Sequence, residues 1–130
     1  MSGALSLDFA MTQETIDLWA DLSGDFNPLH VDEEYAATTP FGGTIAHGHT
    51  ALAILTRLFV EAFREDWMTR GEFTDVKFRS PVRPGRSYRA VAERVDAADG
   101  DDPEWTIAVR DADGTECVVG RAFLRQGVAS

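Results

Sequence analysis

Residues 24–50 read GDFNPLHVDEEYAATTPFGGTIAHGHT, and the rest of the chain is organised around them. Asp25 and His30 stand five residues apart, with Asn27 and Pro28 between them. Proline fixes its own φ and drives the residue before it out of the α region, so Asn-Pro marks a turn. A turn at that point aims an aspartate and a histidine at one small volume, where they can share a water molecule. The second cluster, Ala46-His47-Gly48, opens the strongest helical pattern in the chain. From Gly48 to Phe63, the apolar residues Ala51, Leu52, Leu55, Leu58, Phe59 and Ala62 recur at three- and four-residue intervals. Only Arg57, Glu61 and the following Arg64 are charged, so most of this helix is expected to be buried.

Working outward, Thr12 can N-cap a helix carrying Ile16, Leu18 and Trp19, with Glu14 in its first turn. Asp32 can cap a short helix through Glu33, Glu34, Tyr35 and Ala36, whose acids suit the N-terminal dipole. Beyond the long helix the chain reads as strands at Glu72–Ser80, Ser87–Val95, Glu104–Asp111 and Cys117–Arg125. The breaks fall at Pro81–Gly85, Asp99–Pro103 and Asp111–Gly114, and the last is a hairpin turn whose glycine can take a positive φ. One long helix followed by four sequential antiparallel strands predicts an α+β domain, 1–130, in which a sheet wraps the helix. Such a sheet has an edge to protect, and pairing with a second copy would cover it.

The 130 residues suit one domain with its own core. No run approaches the ~18 apolar residues of a membrane span. MSGALSLDFAM lacks the basic and long apolar regions of a signal peptide, which predicts a cytoplasmic protein. Cys117 is the only cysteine, excluding an intrachain disulfide and a cysteine zinc cluster, and its alternating surroundings suit a strand. The net charge of −10 argues against general nucleic-acid binding. Lys77, Arg79, Arg83, Arg86 and Arg89 nevertheless form a run of 13 residues with no acid, against a net −15 elsewhere. The run suits a small phosphate-bearing ligand, and it suits equally well strand arginines pairing with surface carboxylates.

GDFNPLH, Tyr35-Ala36, Phe41, Ile45-Ala46-His47-Gly48 and VKFRSPVRPG (76–85) together resemble the MaoC-type hydratases and dehydratases, among them the (R)-specific enoyl-CoA hydratases. The resemblance runs from the first helix to the final strand. It implies a hotdog fold, an antiparallel sheet wrapped around a long central helix, acting as a homodimer or higher homo-oligomer with sites near the interface. It implies reversible addition of water to a trans-2-enoyl thioester, giving an (R)-3-hydroxyacyl thioester. Residue by residue, Asp25 and His30 match the catalytic pair and the backbone N–H of Gly48 matches the donor to the thioester oxygen. Thr56 falls where a serine often supports the catalytic Asp. Asn27, Phe41, Ile45, His47, His49 and Leu52 are then expected around the acyl group, and Arg79, Arg83 and Arg86 near the phosphates of coenzyme A.

Elementary chemistry suits these roles. Hydration of a conjugated double bond needs a base for water and an acid at the α-carbon, and an Asp and a His supply both near neutral pH. Charge builds on the thioester oxygen, where a helix N-terminal N–H and the helix dipole oppose it. Glycine at 48 permits close approach. Asn27 and His47 read equally as turn- and shape-setting residues. His49 departs from the Met, Leu or Phe common in relatives, and Arg86 stands where they commonly have an acid. His30, His47 and His49 have no carboxylate or Cys at helical ligand spacing, so no metal is expected, and no cofactor. A dehydratase acting on acyl carrier protein is an alternative, and so is a hotdog thioesterase or a non-catalytic thioester-binding protein.

Overall fold

The computed structural model describes residues 4–126. Its order is β1 (Leu5–Met11), α1 (Gln13–Ser23), α2 (Pro28–Val31), α3 (Glu33–Ala37), α4 (Gly48–Phe63), α5 (Glu65–Arg70), β2 (Gly71–Phe78), β3 (Arg86–Arg94), β4 (Glu104–Asp111) and β5 (Glu116–Leu124). The strands form one antiparallel sheet in the order β1-β3-β4-β5-β2. The four expected strands are present to within two residues, but the sheet has a fifth. β1 pairs with β3 from Leu5 opposite Ala92 to Met11 opposite Arg86. Its alternation of Leu5, Leu7, Phe9 and Met11 is a period-two signal.

The expected caps form. Thr12 accepts from the Thr15 N–H at the start of α1, and Asp32 accepts from the Tyr35 N–H at the start of α3. The Asp111–Gly114 turn closes β4 onto β5 with Gly114 at φ 85°. α4 lies against the inner face of the sheet, where Leu55, Leu58 and Phe59 meet Tyr88, Ala90, Trp105, Ile107 and Val118. Phe59 is wholly buried and stacks on Trp67 at 4.5 Å and edge-on to Trp105 at 5.3 Å. Truncating such a residue to alanine costs about 3–5 kcal/mol. Burial of α4 is narrower than expected. Thr50, Ala51, Leu55, Leu58 and Phe59 are buried, while Ala62 is exposed and Leu52 and Ile54 are half-buried. The sheet covers one stripe of the helix, and the first turns of the helix, Gly48 to Leu52, also border a cavity.

Candidate active site

Gly24 ends α1 in the left-handed conformation at φ 78°, and its N–H returns to the Ala20 carbonyl. The chain reverses there and presents Asp25. Asp25 Oδ1 accepts the Asn27 N–H at 3.2 Å, and Asn27 Oδ1 in turn accepts the Leu29 N–H, capping the single-turn helix α2. Proline at the first position of α2 has no N–H to leave unpaired. Asn27 is therefore a structural residue in this turn. Asp25 Oδ2 has no partner among the described residues, so the carboxylate keeps an acceptor for solvent or substrate.

The segment from Thr44 to His47 runs extended between two supports. Ile45 N–H donates to the Leu29 carbonyl and Ala46 N–H to the Val82 carbonyl. His30 Nδ1 lies 2.8 Å from the Ile45 carbonyl, and His47 Nε2 lies 2.9 Å from the Asp25 carbonyl. A carbonyl can only accept, so both nitrogens carry protons. His30 is left with Nε2 free. His47 is 3% exposed, and its Nδ1 has no partner. The two rings stack with centroids 3.9 Å apart. α4 begins at the next residue, and no helical carbonyl precedes the Gly48 N–H to receive it.

The side chains of Asp25, His30 and His47 bring one ligand atom each within 4.8 Å of one another. The expectation of no metal rested on ligand spacing along a helix, and here a turn supplies the missing carboxylate. The donor set still does not suit a cation. Rings 27° from parallel direct their in-plane lone pairs side by side, whereas a zinc ion needs them to converge.

A cavity of about 620 Å³ opens in front of this group, lined by His30, Phe41, Ile45, His47, Gly48, His49, Leu52 and Arg79 among the expected residues. Thr56 does not line it. Its hydroxyl donates to the Leu52 carbonyl of its own helix at 2.8 Å. Arg83 and Arg86 also lie outside the wall. Arg83 N–H donates to the Tyr88 hydroxyl, and Arg86 starts β3 as an exposed residue. The basic run divides: Arg89 pairs with Asp8 at 2.6 Å, whereas Lys77, Arg79, Arg83 and Arg86 join no ion pair among the described residues.

Sequence reasoning missed two groups of residues. Phe78, Ser80, Pro81 and Val82 line the cavity from the segment VKFRSPVRPG, of which only the arginines were expected at the site. Gln13 holds the His30 carbonyl at 2.8 Å and accepts from Thr44 Oγ1 at 2.6 Å, and Glu33 also accepts from Thr44. Buried Thr44 thus ties α1 to the extended segment 44–47, a strap across the site. No pattern in the sequence marks contacts between residues 31 positions apart.

Residues 4–114 match the family model of the MaoC like domain. This chain belongs to the MaoC-like family. This MaoC-like protein is 34% identical over 112 residues to the (R)-specific enoyl-CoA hydratase of Aeromonas caviae, covering 82% of this chain and 80% of that one. It is 39% identical over 92 residues to 3-hydroxyacyl-thioester dehydratase Z of Mycobacterium tuberculosis, covering 68% of this chain and 61% of that one. The chain therefore spans less than two thirds of the mycobacterial relative. Its structure superimposes on the (R)-hydratase from A. caviae involved in PHA biosynthesis with a TM-score of 0.79, covering 94% of this chain and 92% of that one at 24% identity. The fold is the hotdog fold.

Proposed function

We propose that this MaoC-like protein adds water reversibly to a trans-2-enoyl-CoA, giving the (R)-3-hydroxyacyl-CoA. The observation that carries the reading is that His30 and the helix-opening Gly48 line one cavity, while Asp25, outside its wall, brings a carboxylate oxygen within 4.8 Å of the His30 ring. With Nδ1 donating to Ile45, Nε2 is the only ring position of His30 that can take a proton. In the reading, water is held between His30 Nε2 and the Asp25 carboxylate. Its oxygen bonds to C3 as its proton passes to His30, and the π electrons move onto the thioester oxygen. The Gly48 N–H and the α4 dipole oppose that charge. The proton held by the pair then returns to C2 on the same face. Dehydration is the reverse path, and no cofactor enters either.

The A. caviae and M. tuberculosis relatives, named as a hydratase and a dehydratase, agree with this chemistry. Arg79 at the cavity wall and unpaired Lys77, Arg83 and Arg86 nearby suit the phosphates of coenzyme A. The same proposal includes two copies joined at a sheet edge, since β1 and β2 each pair on one side only. It also includes work in the cytoplasm, where coenzyme A thioesters are substrates. Among the described residues, no helix is long and apolar enough to cross a membrane. The deciding experiment follows loss of enoyl absorbance from crotonyl-CoA alongside thiol release. Hydration without thiol release is expected. Thiol release as the primary reaction would make the protein a thioesterase.

A further inference from the structure

The strand that leads into the basic run is irregular. β2 and β5 pair Thr74 with Arg121 and next Lys77 with Val119, so β2 holds one residue more than its partner between these points. Asp75 takes up the excess in the left-handed region at φ 55°, which among the described non-glycine residues only Arg64 shares. One added residue inverts the facing of every side chain after it. Phe73 points inward, onto Phe59 and Trp67. Unbroken alternation would turn Lys77 inward and Phe78 out. Instead Phe78 sits opposite buried Val118 and lies over the start of α4. A Cβ built on Gly48 would fall 2.8 Å from its Cζ. Phe78 is 55% exposed, lines the cavity, and is not part of the hydrophobic core. A strained bulge that delivers an exposed aromatic ring onto one glycine does little for packing. Strain of that kind is retained where it shapes a site.

We infer that Phe78 is a specificity-determining residue, a steric gate beside the Gly48 amide that rejects acyl thioesters branched at C2. The inference rests on reading the cavity as a thioester site. A carbonyl oxygen accepting from the Gly48 N–H lies about 2.9 Å from the nitrogen. The carbonyl carbon and C2 follow within two bonds, in reach of a ring that already touches Gly48. A methyl on C2 competes with that ring for space. The far end of the acyl chain lies beyond it, so the gate senses bulk beside the carbonyl and not chain length. The ring also keeps water from the amide while the thioester is bound.

The test compares wild type, Phe78→Ala and Phe78→Leu by calorimetric binding of butyryl-CoA and 2-methylpropanoyl-CoA, saturated thioesters that cannot be hydrated. Turnover of crotonyl-CoA and its 2-methyl homologue runs in parallel. Wild type is expected to favour the unbranched member of each pair by about tenfold or more, the scale of one misplaced methyl. Phe78→Ala should bring that preference within about threefold, and Phe78→Leu should fall between. The preference for hexanoyl-CoA over butyryl-CoA should not move. An unchanged branching preference in Phe78→Ala, or in Phe78→Leu should the alanine variant not fold, would overturn the gate. So would an equal loss on every thioester. Wild type that binds butyryl-CoA but never hydrates crotonyl-CoA would refute the hydratase reading, and the binding ratio would still judge Phe78. Wild type that binds neither thioester would overturn both.

Discussion

His30 and His47 stack face to face at 3.9 Å, and each ring is held by a backbone carbonyl from the segment that carries the other. His30 donates to Ile45, two residues before His47, and His47 donates to Asp25, five residues before His30. The turn and the strap therefore clasp each other, and the orientation of one ring depends on the position of the other.

That reciprocity makes His47 a positioning residue with a separable signature. His47→Phe keeps a ring against His30 but loses the donor to Asp25, whereas His47→Gln keeps an amide donor and loses the stack. His47→Phe should lower kcat by roughly 10²-fold with little change in KM, the scale of a small misplacement of reacting groups. His47→Gln should recover part of that loss. Both should fold, as judged by near-wild-type thermal unfolding. Wild-type kcat in His47→Phe would show that the clasp does not govern the chemistry.

If Asp25 and His30 handle one water together, Asp25→Asn and His30→Ala should each lower kcat by roughly 10²–10⁴-fold. Residues acting as a unit are not additive, so the double variant should be little worse than the poorer single one. Losses that multiply would mean separate roles, and near-normal turnover in either single variant would sink the mechanism. Thr56→Ala serves as the contrast. Its hydroxyl is used by the Leu52 carbonyl, so turnover should stay within about twofold of wild type, as for other helix substitutions away from the reacting groups.

Among the bases, Arg79 should matter most for coenzyme A, because it lines the cavity and has no carboxylate partner among the described residues. Arg79→Ala should raise KM for crotonyl-CoA with kcat little changed, the mark of lost uniform binding. Arg83→Ala and Arg86→Ala should act more weakly. All three effects should shrink on a pantetheine thioester that lacks the nucleotide. Equal effects on both substrates would assign the arginines to the fold instead.

How much of this was legible follows from the range of each interaction. The turn at Asn27-Pro28, the caps at Thr12 and Asp32 and the Gly114 hairpin are contacts within a few residues, and local chemistry declares them. β1 was equally local and equally visible in Leu5, Leu7, Phe9 and Met11. It falls outside the four expected strands because it stands apart from them in the chain, ahead of the helices. Phe78 is a different case. Alternation counted from Phe73 points it outward, and only the pairing of β2 with β5 reveals the extra residue at Asp75. The clasp between His30 and His47 and the Gln13–Thr44 support join segments folded onto one another, so composition and spacing carry no trace of them.

Surface carboxylates on the outer strands and in the loop between β3 and β4 make stability sensitive to acid in a defined direction. Hydrogen bonding from Arg125 holds Glu72 below its ordinary value. The Gln126 N–H and then Arg125 do the same for Asp102, and Arg89 does so for Asp8. A lowered folded-state value favours the ionised form in the native protein. The contribution is therefore complete above the unfolded values of 3.8 and 4.5 and is lost as pH falls through the lowered ones. Urea midpoints should not change on account of these groups between pH 7 and about 5.5, and should then fall below about pH 4.5. Arg125→Met should flatten that acid-side fall, because it frees Glu72 and leaves Asp102 with the Gln126 N–H alone. Added salt should act in the same direction. An acid limb identical in wild type and Arg125→Met would remove these pairs from the account.

Assembly provides the last test, because the proposed second copy has consequences for the site. β1 and β2 end the sheet with unpaired backbone on their outer sides, and α4 keeps two half-buried apolar residues on different faces, Leu52 at the cavity and Ile54 away from it. Both features favour edge-to-edge pairing with the long helices adjacent, so that two chains close each acyl pocket. Sedimentation should find a dimer or larger species at micromolar concentration, and specific activity should fall on dilution in step with dissociation. Replacing Ile54 by aspartate, a change on a face of α4 away from the cavity, should shift the equilibrium toward monomer and raise KM more than it lowers kcat. A monomer with full specific activity would refute the shared pocket, while leaving the chemistry of Asp25 and His30 to be judged by their own variants.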